Sequence, residues 1–240
     1  MKAIILAAGM GTRLRPLTDN KPKGLVEVDG LPMVERQIIN LREVGIEEII
    51  VVTGYLSGQF NYLSEKYGVK LIHNDKYDVY NNLYTMYLVK DYLGDSYVLE
   101  SDIHMNNNVI DINIEKSTYF GCKEKDFKNE WILCADKNGR INEIRVDSSE
   151  EDVILRGISY WTKEDGEFLA RKIDEAVNKE GFDNLYWDDV VKDNVSNINL
   201  NLRVLNYNDA FEIDSIKDLE KVEALIKEEK NKGINLSDNN

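Results

Sequence analysis

Continuous apolar runs alternate with amphipathic stretches along the first half of the chain. The runs are typical of strands buried on both faces of a parallel sheet, and they read KAIILAA, IEEIIVVTGY, VKLIHN and SYVLESD. The stretches between them repeat apolar residues with a helical period, and they read LPMVERQIINLREVG, QFNYLSEKYG and NNLYTMYLVKDYL. This alternation predicts right-handed crossovers and a parallel sheet with helices on both faces.

The second half of the chain predicts antiparallel structure before helices return. EWILCADKNGRINEIRVDS is typical of a β-hairpin with Asn138 and Gly139 in a type I′ turn, and ILRGISYWT predicts a further strand. Helices are predicted in KEDGEFLARKIDEAVN and DDVVKDNV, and late strands in INLNLRVLNY and AFEID. The pattern therefore indicates an α/β protein that also contains a hairpin.

Composition and charge narrow the classes of function. The chain has 240 residues and a hydrophobic content of 42%, which suit one large globular domain. A formal net charge of −14 argues against nucleic acid and against anionic membranes as partners, because both are bound through broad basic surfaces. No apolar run approaches the roughly 20 residues that span a bilayer, and the cysteines Cys122 and Cys134 fit a reducing compartment. We therefore expect a cytoplasmic protein, and no pattern indicates its oligomeric state.

One segment contrasts with the acidic composition. Residues 6–25 read LAAGMGTRLRPLTDNKPKGL and directly follow the first strand, at the sheet edge where open α/β proteins bind ligands. The segment lacks the P-loop pattern, and Leu14 stands where the dinucleotide fingerprint needs its third glycine. A solvated turn is one interpretation. The positive local charge favours the other, a loop that wraps a polyphosphate, with arginine as a fork and lysine as a point charge.

The order of residues in this segment resembles a known signature. Leu-Ala-Ala-Gly-x-Gly-Thr-Arg followed by Pro22-Lys23 is similar to that of nucleotidyltransferases, which activate sugar phosphates or small alcohol phosphates with a nucleoside triphosphate. Other stretches resemble the bacterial CTP:phosphocholine cytidylyltransferases of that superfamily, and they read FNYLSEKYGVKLIHNDKYDVYNNLYTMYLVK, NEWIL and NLYWDDVVKDN. The resemblance extends along nearly the whole chain.

The resemblance implies a Rossmann-like, three-layer α/β nucleotidyltransferase fold. Its sheet is mixed but mostly parallel, helices flank it, and a small substrate subdomain contains the β-hairpin. A single domain is expected over residues 1–232, with a nucleotide-binding half (1–110), a substrate-binding half (111–210), and a metal strand with the last helix (211–232). Residues 233–240 are predicted to be a flexible tail.

The implied reaction transfers CMP from CTP to phosphocholine and gives CDP-choline and pyrophosphate, by in-line attack on the α-phosphorus. The resemblance assigns two catalytic residues, Arg13 on the leaving phosphates and Lys23 on the α-phosphate. The nucleotide-binding residues expected in the loop are Leu6, Ala8, Gly9, Met10, Gly11 and Thr12. Asn74, Asn81 and Asn82 are candidates for contacts to the nucleobase, and capping of the third helix is their alternative role.

Mg²⁺ is the expected cofactor, because it binds through one or two carboxylates together with phosphate oxygens. Asp102 ends the strand SYVLESD, at the same sheet edge as the basic loop, and the resemblance makes it a metal ligand. The second ligand is expected from FEIDS, where Asp214 matches the family best and Glu212, on the same strand face, competes. Glu100 shares a face with Asp102 and is expected behind the ligands or at the surface.

Choline carries a quaternary ammonium that cannot donate hydrogen bonds, so its recognition requires aromatic faces and nearby carboxylates. Aromatic residues beside acids occur in the stretches that resemble the phosphocholine enzymes. The choline candidates are Trp131, Tyr186, Trp187 and Tyr84, with an acid from Glu130, Asp188 or Asp189. Core packing is the alternative role for each ring, and the adjacent Tyr186 and Trp187 need not both face the ligand.

Three alternatives keep the same residues but change the function. The chemistry also suits phosphoethanolamine, an aminoalkyl phosphonate or a sugar 1-phosphate. A non-catalytic nucleotide-binding module is disfavoured because Arg13, Lys23, Asp102 and Asp214 are all present. A glycosyltransferase is disfavoured because SDIH offers Asp102 without a second aspartate two residues away.

Overall fold

The computed structural model describes the backbone of residues 1–237 and the side-chain surroundings of residues 1–232. The strands are, in chain order, β1 (Lys2–Ala7), β2 (Glu27–Val28), β3 (Leu31–Pro32), β4 (Glu48–Thr53), β5 (Lys70–His73), β6 (Ser96–Glu100), β7 (Ile103–Met105), β8 (Thr118–Ala135), β9 (Ile141–Trp161), β10 (Asn201–Leu205) and β11 (Ala210–Glu212). The α-helices are α1 (Met33–Glu43), α2 (Asn61–Tyr67), α3 (Asn82–Tyr87), α4 (Lys163–Val177), α5 (Trp187–Asn194) and α6 (Ile216–Ser237).

Seven strands form one mixed sheet in the order β10-β8-β9-β6-β1-β4-β5. β1 pairs in parallel with both β4 and β6, so three of the apolar runs lie side by side at the centre. β9 pairs antiparallel with β6 and with β8, and β10 pairs in parallel with β8. The predicted α/β fold with a mostly parallel mixed sheet is confirmed.

Alternate residues of β1 face opposite helical layers, which explains why the whole run is apolar. Ala3 and Ile5 belong to the core cluster that contains the apolar faces of α1 and α2. Ile4 and Leu6 belong to a second cluster, which contains those of α3, α4 and α5. In a third cluster, α6 packs against Leu14 of the loop after β1. The loop is therefore backed by core on its inner side.

β8 and β9 form the predicted hairpin, but the predicted turn is wrong. A type I′ turn requires positive φ at both central residues, and Asn138 lacks it, whereas Gly139 has φ 80°. The N–H of Gly139 instead donates to the carbonyl of Asp136 at 2.9 Å, so the turn begins earlier. The stretch ILRGISYWT is not a separate strand, because it continues β9.

A two-stranded ribbon beside the main sheet joins the late part of the chain to the end of β6. β11 pairs antiparallel with β7, with Glu212 opposite Ile103. The N–H of Ile213 donates to the carbonyl of Asp102 at 3.0 Å. This pairing brings Glu212 and Asp214 next to Asp102.

The predicted tail, residues 233–240, begins within α6, and residues 238–240 lie outside the described part of the chain. Among the described residues, no helix combines the length and the apolar character needed to cross a membrane.

Candidate active site

A cavity of about 360 Å³ opens at the carboxyl ends of β1 and β6. The residues that line it come from the loop after β1, the start of α3, the link between β6 and β7, and the segments before α5 and α6. They are Leu6, Ala8, Gly9, Gly11, Thr12, Arg13, Lys23, Asn81, Asn82, Thr85, Glu100, Ser101, Asp102, Tyr186 and Asp214. Of the nucleotide-binding residues predicted in the loop, Met10 is the one that does not line the cavity.

The loop after β1 is held in one shape by short-range contacts. Gly11 has φ 58°, a left-handed conformation, and a Cβ there would lie 2.8 Å from Cβ of Lys23. The hydroxyl of Thr18 donates to the carbonyl of Gly11 at 2.8 Å. Tyr55 in turn donates to the carbonyl of Thr18 at 3.0 Å, so the segment after β4 supports the loop. The loop therefore presents Arg13 and Lys23 from a fixed backbone.

Three carboxylates converge opposite the loop. One oxygen from each of Asp102, Glu212 and Asp214 lies within 4.8 Å of the other two. Asp214 precedes α6, where Asp218 accepts from the N–H groups of Ser215 at 2.7 Å and of Asp214 at 3.3 Å. This N-terminal cap holds the backbone that carries Asp214.

Two cationic side chains reach into the carboxylate cluster. The ammonium of Lys23 lies 2.5 Å from Oδ2 of Asp102 and 2.5 Å from Oδ1 of Asp214. Arg13 contacts the same oxygen of Asp214 at 2.8 Å. Burial by itself lowers the pKa of Lys23, but Asp102 and Asp214 outweigh it and raise that pKa above its ordinary value. Lys23 is therefore positively charged at neutral pH.

The cluster suits a cation held by oxygen ligands. The Lys23 ammonium itself shows that a positive charge fits between Asp102 and Asp214. Oδ1 of Asp102 is buried and accepts no hydrogen bond within the described chain, so it has free lone pairs. Burial raises the pKa of Glu212, and the neighbouring Asp102 and Asp214 raise it further. An additional cation would relieve that repulsion.

The asparagines at the start of α3 connect segments of the cavity wall by hydrogen bonds. Asn81 accepts from the N–H of Asn82 at 2.8 Å and donates to the carbonyl of Asn184 at 3.1 Å. Asn82 accepts from the N–H of Trp187 at 2.9 Å and donates to Glu100 at 3.2 Å. Asn81 thus caps α3, and both asparagines line the cavity as well.

Asn74, the third asparagine candidate, does not reach the cavity. It is fully buried, donates to Oγ1 of Thr85 at 3.0 Å and accepts from the N–H of Lys76 at 2.8 Å. Thr85 does line the cavity, so Asn74 acts behind it.

The structure separates the aromatic candidates. The rings of Trp131 and Tyr186 meet edge to face with centroids 6.1 Å apart, and Tyr186 is 46% exposed and lines the cavity. Lys192 places its ammonium 5.3 Å from the Trp131 ring centroid, so this ring already contacts a cation. Trp187 is 3% exposed, because it starts α5 with its ring packed against Trp161 at 5.7 Å.

Tyr84 lies in a separate row of tyrosines. Its ring is 5.0 Å from that of Tyr80 and 5.8 Å from that of Tyr87, and it is not among the residues that line the cavity. Trp187 and Tyr84 therefore pack against other rings. Tyr186 lines the cavity, and Trp131, which is not among the lining residues, meets it edge to face; we call this pair the aromatic corner.

The three candidate acids also differ in surroundings. Burial raises the pKa of Glu130; the charge of Asp214 raises it further and that of Arg13 lowers it. Glu130 therefore lies close enough to the carboxylate cluster to interact with its charges. Asp188 is buried, accepts from the hydroxyl of Tyr119 at 2.6 Å, and has a pKa raised to about 7 by burial. Asp189 accepts from the N–H of Tyr186 at 3.0 Å and so caps α5.

Sequence reasoning missed Thr85 and Ser101 and placed Glu100 behind the site, yet all three line the cavity. Two of them were detectable by position: Thr85 follows Asn81 by one helical turn, and Ser101 directly precedes Asp102. Glu100 is half-buried, and desolvation together with the charge of Asp102 raises its pKa well above the ordinary value.

The sequence of this chain is similar to those of known nucleotidyltransferases. Residues 3–98 match the MobA-like NTP transferase domain. The choline-phosphate cytidylyltransferase of Streptococcus pneumoniae is 46% identical over 95% of this chain and 100% of its own length. The 2-aminoethylphosphonate cytidylyltransferase of Lancefieldella rimae is 36% identical over 90% of this chain and 89% of its own.

Solved structures agree with the sequence comparisons. The CTP:phosphocholine cytidylyltransferase structure from Streptococcus pneumoniae superposes with a TM-score of 0.91 at 46% identity, and covers 94% of this chain and 98% of that one. The inositol-1-phosphate CTP transferase of T. maritima, at 20% identity and a TM-score of 0.73, shares the fold over 94% of both chains. Fold, sequence and the signature loop together show that the chain belongs to the choline-phosphate cytidylyltransferase family of nucleotidyltransferases.

Proposed function

We propose that the protein transfers CMP from CTP to phosphocholine, with Mg²⁺, and releases CDP-choline and pyrophosphate. The observation that carries the proposal is the convergence of Lys23, Asp102 and Asp214 in one cavity beneath the glycine-rich loop. A polyanionic substrate needs both parts, because its phosphates require cations and its metal requires carboxylates.

The chemistry needs positioning and charge neutralisation rather than a protein nucleophile. A phosphate oxygen of phosphocholine attacks the α-phosphorus of CTP, a new P–O bond forms, and the bond to pyrophosphate breaks. Lys23 neutralises the negative charge that builds on the α-phosphate, and Arg13 holds the leaving phosphates. Backbone N–H groups of Ala8, Gly9 and Gly11, which line the cavity, would contact the phosphate oxygens at close range, as the glycines permit.

Asp102 and Asp214, with Glu212 beside them, would hold Mg²⁺. When bound, the cation supplies charge neutralisation and alignment of phosphate oxygens. Asp102 and Asp214 also bind the Lys23 ammonium, so the lysine must leave one or both oxygens as it turns to the substrate. We assign the nucleobase end of CTP to the wall formed by Leu6, Asn81, Asn82 and Thr85, which line the same cavity.

The aromatic corner of Trp131 and Tyr186 supports choline as the alcohol. A quaternary ammonium against aromatic faces contributes about 2 kcal/mol when desolvated. The relative that acts on 2-aminoethylphosphonate makes a primary ammonium the second candidate. Such a group donates hydrogen bonds and would favour a carboxylate such as Glu130 over a ring face.

Pyrophosphate release from CTP, measured with phosphocholine, phosphoethanolamine, 2-aminoethylphosphonate and glucose 1-phosphate, tests the proposal. We expect phosphocholine to have the highest kcat/KM. Trp131→Ala and Tyr186→Ala should raise the KM for phosphocholine roughly 10- to 30-fold and leave the KM for CTP unchanged, the loss expected for about 2 kcal/mol.

Tyr84→Ala is the matched control, because it removes a tyrosine ring outside the cavity and should leave both KM values as they are. A higher kcat/KM for 2-aminoethylphosphonate than for phosphocholine would reassign the substrate. An unchanged KM for phosphocholine in both Trp131→Ala and Tyr186→Ala would remove the aromatic corner from the site.

A further inference from the structure

Gln37 of α1 is a fully buried polar side chain that contacts the active site from behind. Its relative exposure is 0%, which is unusual for glutamine unless its amide has partners. Nε2 donates to the carbonyl of Glu100 at 2.8 Å and to the carbonyl of Ile103 at 2.8 Å. Both amide hydrogens are therefore used on a single stretch of backbone.

The two accepting carbonyls flank the link that carries Asp102. β6 ends at Glu100 and β7 begins at Ile103, so the Ser101-Asp102 link lies between two sheets. The N–H of Ser101 donates to the carbonyl of Leu6 at 3.1 Å. The Gln37 amide adds a two-point attachment across the link, and two bonds from one planar group fix its orientation as well as its distance.

The helix that carries Gln37 is itself immobilised by the core. Its neighbour Ile38 and also Val34 and Leu41 are fully buried in the cluster between α1 and the sheet. Gln37 thus attaches the backbone on either side of Asp102 to the immobile helix α1. Sites that bind metals need this support, because ligand geometry must hold within about 0.5 Å.

The amide oxygen of Gln37 indicates which contribution this side chain makes. Oε1 of Gln37 is buried and has no hydrogen-bond partner in the described part of the chain. A buried acceptor without a partner costs about 1–3 kcal/mol, which offsets most of what the two donated bonds contribute to stability. The two donated bonds to the Asp102 link are what this side chain provides.

We propose that Gln37 is a positioning residue for the metal site: its amide holds the Ser101-Asp102 link in the orientation in which Asp102 faces Asp214 and Lys23. Without the amide, the link rotates and the carboxylates of Asp102 and Asp214 move apart. The inference rests on the proposed function for the identity of the cation. Its primary consequence is weaker binding of a divalent metal, with slower turnover at limiting metal as the second.

The test is Mn²⁺ binding, followed by electron paramagnetic resonance, in the presence of a CTP analogue with a methylene bridge between the α- and β-phosphorus. Gln37→Met keeps the length and burial of the side chain and removes both donors. It should weaken Mn²⁺ binding about 10- to 100-fold, as loss of outer partners of metal ligands does. The KM for phosphocholine at saturating metal should stay unchanged, which a general disruption of the fold would not allow.

Ile38→Val is the matched control, since it removes one buried methyl group from the same helix, and neither aliphatic side chain can donate a hydrogen bond to the link. It should lower the melting temperature and leave Mn²⁺ affinity unchanged. Mn²⁺ affinity of Gln37→Met within twofold of the native protein would overturn the inference. If Gln37→Met does not fold, Gln37→Asn is measured in its place, because its shorter amide cannot bond both carbonyls. Mn²⁺ affinity within twofold of the native protein would again overturn the inference. Absence of Mn²⁺ binding by the native protein with bound analogue would instead remove the proposed metal, and with it this inference.

Discussion

Replacing Lys23 with methionine removes the ammonium that lies between Asp102 and Asp214 and keeps most of the apolar stem. The native ammonium contacts each carboxylate at 2.5 Å and is 13% exposed. In the variant, the carboxylates of Asp102, Glu212 and Asp214 lose this neutralising charge while they stay within 4.8 Å of one another. We expect the variant to be inactive and less stable, and to respond more strongly to Mg²⁺.

The size of the effect follows from the geometry. Two unit charges 4.8 Å apart, the upper limit of the separations here, repel by about 3.5 kcal/mol at an effective dielectric constant of about 20. Removing one partner from a buried ion pair costs about 3–5 kcal/mol. The carboxylates of Asp102 and Asp214 keep 19% and 21% exposure, which favours the lower end. For a chain of this size, about 3 kcal/mol corresponds to a fall of roughly 6–12 °C in melting temperature.

The assay is thermal unfolding at pH 7.5 without metal and with 10 mM Mg²⁺. On the proposed function, Mg²⁺ should compete with the Lys23 ammonium for oxygens of Asp102 and Asp214 in the native protein, whereas in Lys23→Met no ammonium opposes it. Mg²⁺ should therefore raise the melting temperature of the variant by several degrees more than that of the native protein. The pKa of Lys23 is raised by folding, so its stabilising effect is complete below its ordinary pKa of 10.5 and is lost only as the pH rises beyond it.

Lys21→Met is the matched control. It removes the same charge from the same loop, but Lys21 pairs with Glu27 at 3.5 Å on the exposed surface. Exposed pairs contribute about 0–1 kcal/mol, so this variant should melt close to the native protein and respond to Mg²⁺ as the native protein does. Equal Mg²⁺ responses of Lys23→Met and the native protein would refute the view that lysine and metal share one set of oxygens.

Two further predictions concern a buried acid and a glycine. Asp188 has a pKa raised to about 7 by burial, so its favourable effect on stability is complete below about pH 4 and lost as the pH rises to 7. Asp188→Asn should therefore exceed the native stability by about 4 kcal/mol at pH 8 and match it near pH 4 in urea unfolding; an equal gain at both pH values would contradict this. Gly11→Ala should lower kcat/KM for CTP at least tenfold, because its Cβ would lie 2.8 Å from Cβ of Lys23. Gly30→Ala, at φ 74° with open space around it, is the control and should cost about 1 kcal/mol of stability without loss of activity.

The parallel half of the fold was predictable because its signal is local. Strands buried on both faces are apolar along most of their length, so β1, β4 and β6 are visible as continuous apolar runs with polar residues at their ends. The hairpin of β8 and β9 was predictable in kind but not in detail. Its register shifts near Asp126 and Asn129, which both have positive φ, and no local composition indicates such bulges.

The candidate site was likewise predictable where the signal is local and not where it depends on distant contacts. The sequence placed Asp102 at the sheet edge through its position at the end of a strand, and the family resemblance made it a candidate ligand, as it made Arg13 a candidate for phosphate binding; both line the cavity. Which ring of the adjacent pair Tyr186 and Trp187 faces the cavity depended on where α5 begins, because the first helical residue, Trp187, turns into the core.

The sequence by itself determined the family, the α/β fold and the loop that carries the cations, because each of these depends on residues close together in the chain. The tertiary structure decided how the carboxylates meet, since the pairing of β7 with β11 places Glu212 and Asp214 beside Asp102. It also decided that Gln37 supports Asp102 from α1. Contacts between distant segments depend on register and packing, which no local pattern of residues encodes.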